Sequence, residues 1–404
     1  MTYKKNIFFT AFTVGILWAL TMSIVVSVIL SFITGSPLKP NILLVISIGS
    51  IAGILNLHVL RSTLILLLLI ISSILLSTLT YGPITTGHDI SHLLNYASQT
   101  LFAASTVLPL TKILSGLSVK ESGRHEIEEA FIRFSSGFGL IFFTMIVLIP
   151  FYVMLMTSLK TQQELLLNPL DFSIDLSKGL NLFRSYSELF QDFGFGRYLW
   201  TSFYVSTATV LVTLGFSIPG AYAVARLRFR GSSAFSRSIL LIYMVPMIVL
   251  ALPIYILFSL TGLRNTILGL VLIYPVTTIP VALYMLQGYF RGLPYEIEEA
   301  GLMDGLSRLA VIWKITLPLA LPALASVSLY VFMIAWNEFL LAFMLLDDPL
   351  TFTLTRGVAS LNSSEVPRQH LMAGAVISTV PILLIFLFLE RFMTKGLTAG
   401  SVKG

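Results

Sequence analysis

Ionisable side chains make up only 11% of these 404 residues, so a cluster of them marks a place where chemistry or contact can occur. The densest cluster is Glu296, Glu298, Glu299, Asp304, Arg308 and Lys314, set between two apolar stretches. A segment that charged must lie in water. Pro294 suits the first turn of a helix, the three glutamates sit where the helix dipole favours anions, and Asp304-Gly305 ends that helix before another begins near Ser307. The expected unit is helix, tight turn, helix over 294–318. Ala300, Gly301 and Gly305 leave so little bulk at the turn that another protein's surface can approach the backbone. Its chemistry is that of a docking surface, and the competing reading is an amphipathic loop helix packed on its own bundle. Glu338 is the other ionisable group that needs a reason. It lies within LYVFMIAWNEFLLAFMLL, where a carboxylate is costly unless it faces a cavity or a partner; pairing with Arg356 or with neighbouring backbone is the alternative.

The missing motifs exclude several chemistries. No G-x-x-x-x-G-K-S/T phosphate loop occurs, so this chain cannot cradle ATP in that manner and any ATP-derived energy must come from a partner. Neither H-E-x-x-H nor G-x-S-x-G is present, which argues against a membrane protease or esterase. The absence of cysteine removes disulfides, thiolate metal sites and cysteine nucleophiles. A non-catalytic chain without a metal or cofactor of its own is expected. An ion-coupled carrier would use Asp, Glu or His inside the membrane, and these are nearly missing.

The elements that carry these residues are apolar helices. Hydrophobic residues are 56% of the chain and the mean hydropathy is +0.90, beyond the range of a soluble domain. Stretches of about twenty apolar residues fall at 7–33, 41–60, 62–80, 93–117, 136–157, 198–223, 238–260, 265–288, 319–345 and 370–390. With the N-terminus inside, 17 of the 25 Lys and Arg fall on the inner side, which puts both termini and the charged hairpin in the cytoplasm. The stretch 93–117 is the weakest span, because it contains Asn95, Gln99, Pro109 and Lys112. A charged joint, 119–135, separates an N-terminal region, 1–118, from the rest. Its His125-Glu126-Ile127-Glu128-Glu129-Ala130 nearly repeats Tyr295-Glu296-Ile297-Glu298-Glu299-Ala300, but the match stops after six residues, so it reads as a juxtamembrane helix. Later spans carry Pro150, Pro219, Pro246, Pro253, Pro275, Pro280 and Pro381, and kinked helices around a cavity suit a transporter.

Glu299-Ala300-Gly301, Gly305 four residues on, and Ile315-x-Leu317-Pro318 ten beyond resemble the signature of ABC-importer permeases, with Gly301 where that pattern has alanine. Thr157-Ser158-Leu159-Lys160, Ala221-Tyr222-Ala223-Val224-Ala225-Arg226, Trp336-Asn337-Glu338-Phe339 and the tail 396–404 narrow the resemblance to sugar-type, maltose or multiple-sugar permeases. It implies an all-α membrane protein of about ten transmembrane helices, with a six-helix core over 136–404 and a four-helix N-terminal extension of unassigned role. It further implies a second homologous permease, a cytoplasmic ABC ATPase dimer that holds ATP and Mg, an extracytoplasmic solute-binding protein, surrounding lipid, and no nucleic acid. Coupling to the ATPase would fall to Glu298, Glu299, Ala300, Gly301, Asp304, Gly305, Ile315, Leu317 and Pro318. The translocation path would use Tyr274, Thr277, Trp336, Asn337 and Glu338, which offer aromatic faces and hydrogen-bonding groups. The loop 159–197 mixes acidic and aromatic residues in a way that suits the binding protein. The implied substrate is an oligosaccharide or α-glucoside, with glycerol-phosphate-type or other polar solutes as the alternative, and an ion-coupled secondary carrier as the reading from another class.

Overall fold

A computed structural model of the chain describes residues 2–57, 62–78, 81–85, 91–117, 123–169, 171–363 and 365–398. It is a helical membrane protein with one two-stranded antiparallel pairing, Lys39–Pro40 with Ile84–Thr85. The chain forms two compact units, Met1–Leu182 and Phe183–Gly404.

In the first unit, α1 (Thr2–Thr34), α2 (Ile42–Leu57), α3 (Ser62–Thr78) and α4 (His92–Ile113) pack together and onto α5 (Arg124–Ser158). α1 and α2 meet backbone to backbone, and glycine makes this feasible. A Cβ on Gly53 would stand 2.0 Å from the Ala11 carbonyl oxygen, and one on Gly15 would stand 2.3 Å from that of Gly49. Lipid gives helices no hydrophobic reason to associate, so close van der Waals approach at small residues does the work. Gly49 and Gly53, at G-x-x-x-G spacing, sit at this crossing. Gly53→Leu should force α1 and α2 apart at about 1–3 kcal/mol, visible as a lower melting temperature of the purified chain; an unchanged one would count against the crossing.

The polar residues that make α4 a weak span have uses within this unit. Gln99 is buried and donates to the Ile84 carbonyl at 2.8 Å, holding the loop that returns from α3. Arg133 on α5 donates to the Ser115 carbonyl at 2.6 Å and so closes the end of α4. Trp18 of α1 packs against Gly137 and meets Phe134 edge-on at 6.3 Å. Near the other end of α5, the Tyr152 hydroxyl lies 3.1 Å from the carbonyls of both Phe32 and Phe172. The boundary between compact units therefore falls beyond the joint 119–135, whose residues 119–122 lie outside the described residues.

The short helix α6 (Gln162–Leu167) follows α5, and α7 (Arg184–Gln191), α14 (Leu317–Leu319) and α17 (Leu354–Ser360) are short helices of the second unit. There α8 (Phe195–Arg226) packs along α11 (Ile267–Gly292), and α15 (Leu321–Asn337) packs against α8 and α18 (Arg368–Thr398). α8 buries Ser202, Ser206, Thr209, Thr213 and Ser217 on one face, at the three- and four-residue spacing that lets helices approach closely. Thr213 and Thr278 share a 2.7 Å hydrogen bond across that seam.

Among the described residues, five helices are long and apolar enough to cross a membrane: Asn6–Thr34, Arg124–Ser158, Phe195–Arg226, Ile267–Gly292 and Arg368–Phe388. A sixth span results if Arg308–Leu319 and Leu321–Asn337, bent by 77°, count as one. Ile42–Leu57, Thr63–Thr78 and Met247–Leu260 are shorter apolar helices. Two of the uninterrupted stretches expected from hydropathy are broken. The stretch 238–260 divides into α9 (Ser232–Tyr243) and α10 (Met247–Leu260) at Pro246, which takes the extended φ and ψ that begin a helix. The stretch 319–345 ends its helix at Asn337, and α16 (Leu340–Leu345) starts afresh beyond Glu338.

Candidate functional site

The charged hairpin forms as expected, α12 (Tyr295–Met303) followed by α13 (Arg308–Val311), and its turn explains Gly305. The Gly305 N–H reaches the Leu302 carbonyl at 3.1 Å and the Leu306 N–H reaches that of Gly301 at 3.0 Å. This pair of bonds closes a helix through a left-handed residue, and Gly305 has φ +85°. Ser307 then caps α13 by accepting from the Ala310 N–H. Beyond α13 the chain widens into a π turn, Ile312–Thr316, where Leu317 N–H bonds to the Ile312 carbonyl. Pro318 cannot donate to the helix and its ring crowds the carbonyl four residues earlier, so the turn opens just before it. Pro318 and Pro322 flank Ala320, where the hairpin's second arm bends by 77° into α15.

Glu298 is the centre of the arrangement, and it points inward. Its carboxylate accepts from the Tyr222 hydroxyl at 3.0 Å and the Thr316 hydroxyl at 3.1 Å, and it lies 3.3 Å from Arg226 Nε. The last is an ion pair by distance rather than an aligned hydrogen bond. Arg226 also donates to the Leu293 carbonyl at 2.7 Å and stacks over the Tyr295 ring at 4.1 Å. One carboxylate thus ties α12 to the end of α8 and to the π turn. Gly301 is buried too: a Cβ there would lie 2.5 Å from Ile315 Cδ1, so Ile315 packs directly over α12 and an alanine would require only the end of that side chain to shift. Leu317 is half-buried and Pro318 exposed at the elbow. The outward face carries Glu299, Ala300, Asp304 and Gly305, together with the largely exposed Met303, Leu309 and Trp313. This face mixes apolar bulk with charge around a glycine turn.

The repeat at 125–130 presents a different face. There Ala130 is buried and Glu128 pairs in the open with Arg124 at 2.6 Å, whereas in the hairpin Ala300 is exposed and Glu298 buried.

Glu338 caps a helix. Where α15 stops, its carboxylate accepts from the Leu341 N–H at 2.9 Å and the Ala342 N–H at 3.1 Å, satisfying the free donors of α16. Tyr274 is fully buried and lies close enough to Glu338 for the two side chains to interact. Thr277 is half-buried and donates to the Tyr274 carbonyl at 2.7 Å. Trp336 is buried, donating to the Ser378 carbonyl at 3.1 Å, while Asn337 is exposed and donates back to Met333 at 2.9 Å. Tyr274, Trp336 and Glu338 therefore belong to one packed region around the break, with Asn337 alone of the five open to its surroundings. Arg356 lies over the rings of Phe352 and Phe343, at 4.3 and 4.7 Å.

Most acids of the loop 159–197 have internal partners. Asp171 pairs with the buried Lys160 at 2.9 Å, Glu164 pairs with Lys178, and Asp175 accepts from the Ser177 backbone at 3.1 Å. Glu188 accepts from Arg184 at 2.7 Å and from His370 at 2.7 Å, and the Arg184 hydrogen bond holds its carboxyl below the usual range. Phe183 and Phe190 remain half exposed. Of the tail 396–404, residues 399–404 lie outside the described residues.

Comparison with known proteins agrees with this geometry. Residues 217–398 match the family of binding-protein-dependent transport system inner membrane components. The chain is 37% identical over 274 residues to an inner membrane ABC transporter permease protein, YcjP, of Escherichia coli (strain K12), an alignment that spans 66% of this chain and 95% of that protein. It is 33% identical over 281 residues to the trehalose/maltose transport system permease protein MalG of Thermococcus litoralis, spanning 69% of this chain and 99% of that one. A crystal structure of a bacterial ABC transporter involved in import of the acidic polysaccharide alginate aligns with a TM-score of 0.57 at 21% identity, over 67% of this chain and 98% of the matched one, a likeness of fold. About a third of the chain lies outside these alignments. The hairpin, the helices that grip it and near-complete coverage of these relatives place the chain in the family of inner membrane components of binding-protein-dependent transport systems.

Proposed function

We propose that this chain is the translocation-pathway subunit of an ATP-driven carbohydrate importer, with the 294–318 hairpin as the seat of a cytoplasmic ABC ATPase. The observation that carries this reading is the inward lock of Glu298 on Tyr222, Arg226 and Thr316 beneath an outward face of Glu299, Met303, Gly305 and Leu309. A push on such a face moves α8 and α15 together, because the hairpin cannot swing without breaking a buried charge network. ATP and Mg would bind the ATPase, and a second homologous permease would close the path. An extracytoplasmic solute-binding protein would deliver the solute to the outer loop, and both termini would be cytoplasmic. Domain roles follow the same division: 136–404 as permease core, 119–135 as cytoplasmic joint, 1–118 as an extension.

The names of the relatives favour a sugar. Besides the trehalose/maltose protein, one at 32% identity is an arabinooligosaccharide transport system permease from Halalkalibacterium halodurans. An oligosaccharide or α-glucoside is the substrate class we assign, and we place the path beside the region of Tyr274, Thr277, Trp336, Asn337 and Glu338, of which Asn337 is exposed. The use of Glu338 as a helix cap weighs against an ion-coupled carrier, since its carboxylate is engaged by two backbone N–H groups. Purification from native membranes tests the reading: an ATPase that stays bound and is stimulated by a sugar-loaded binding protein is the expected result. Uptake by this chain alone, driven by an ion gradient, would overturn it. A thermal-shift panel of mono-, di- and trisaccharides on the binding protein would separate the sugar assignment from amino-acid or peptide import.

A further inference from the structure

Directly after the end of α8 the sequence runs Leu227-Arg228-Phe229-Arg230-Gly231, and the structure holds 227–229 without helix. Cationic and apolar side chains alternate along this segment, Leu227 and Phe229 with Arg228 and Arg230. All four are exposed. Gly231, at φ +92°, then turns the chain into α9, and the Ser232 hydroxyl closes back on the Val224 carbonyl at 3.4 Å. α9 carries the exposed Phe235 and Arg237. Between them Ser236 bonds to Gln287 of α11. Turned to satisfy both neighbours, the Gln287 amide oxygen also accepts from Arg291 at 2.6 and 3.2 Å. Arg237 and Arg291 are thereby brought to the same end of the bundle as Arg228 and Arg230.

These cations differ from Arg226, which is buried against Glu298. Among the described residues, none of Arg228, Arg230, Arg237 and Arg291 forms an ion pair with a carboxylate. Guanidinium groups hold phosphate oxygens in a two-pronged grip, and apolar side chains interleaved with them at the end of a membrane helix have acyl chains as their natural neighbours. We infer that this patch binds the phosphate headgroups of anionic phospholipids, with Leu227, Phe229 and Phe235 set among the acyl chains. A wholly protein partner would have to meet these guanidinium groups and the exposed Leu227, Phe229 and Phe235 together. That the patch faces the inner leaflet rests on the cytoplasmic placement of the hairpin proposed above; that it binds lipid does not.

The test is lipid retention by the full-length chain purified with its native partners and exchanged into phosphatidylcholine discs with or without phosphatidylglycerol, with bound lipid counted by native mass spectrometry. Phosphatidylglycerol should be retained over phosphatidylcholine. Neutralising a cation near a phosphate surface weakens binding by about fivefold, so Arg228→Gln with Arg230→Gln should lower retention by roughly thirtyfold. Arg237→Gln should add to this. Retention of phosphatidylglycerol unchanged in the triple variant would overturn the proposal. Displacement by inorganic phosphate at matched phosphate concentration would make the site one for free phosphate instead. Loss of a co-purifying protein with lipid retention intact would make the patch a protein contact. Because lipid counting requires no ATPase, failure of the importer reading would leave this result interpretable.

Discussion

Replacing Glu298 by alanine should unseat the hairpin. The Arg226 side chain is 1% exposed, and Glu298 is its carboxylate partner; removing that partner leaves a buried cation facing one carbonyl and one aromatic ring. Breaking a buried pair in this way costs about 3–5 kcal/mol, a large share of the ~5–15 kcal/mol by which a domain is held folded. The expected result is a sharp fall in melting temperature and faster amide hydrogen exchange across 295–316. A double variant, Arg226→Met with Glu298→Leu, removes both charges and keeps apolar volume, and should recover most of the loss. If the double variant is as unstable as the single, the cost lies in the freed hydroxyls of Tyr222 and Thr316 and not in the stranded charge.

The second large effect is expected at Gly305, where two causes can be told apart. Its φ of +85° strains any β-branched residue, and among the described residues nothing beyond its own chain neighbours lies within 4 Å of where a Cβ would stand. Gly305→Val should therefore distort the turn at about 1–2 kcal/mol and cut substrate-stimulated ATP hydrolysis in the assembled complex about tenfold or more. Gly305→Asn tolerates the left-handed backbone while adding comparable bulk. If it works nearly as well as the parent, Gly305 serves the turn; if it fails like valine, it serves the close approach of the ATPase. Normal stimulation in both variants would remove the hairpin from the coupling role.

The hairpin was legible because its charges stand out in an apolar chain and its glycine follows the acids at helix-ending distance. Which acid turns inward was not legible. Glu296, Glu298 and Glu299 look alike in sequence, and the partner that selects Glu298 is Arg226, 72 positions earlier. Hydropathy marked 319–345 as continuous because the residues on both sides of Glu338 are equally apolar. The break there depends on a carboxylate bonding to N–H groups three and four residues ahead, which no periodicity reveals. Gln99 made α4 look doubtful for a similar reason, since its use depends on backbone brought near by folding. The Ser and Thr seam of α8 did have a helical spacing, hidden by the usual search for apolar stripes.

The grouping of α5 with residues 1–182 bears on the order in which the protein can be made. A ribosome delivers α1 through α4 first, and these already contain the contacts that α5 needs, from Trp18 against Gly137 to the Phe32 carbonyl that receives Tyr152. The helix that opens the permease core can therefore settle against its own upstream neighbours while 183–404 is still unsynthesised. Domains form as units, amino end first. For a nascent membrane chain this shortens the time for which a long helix, few of whose residues are fully buried, waits for something to hold.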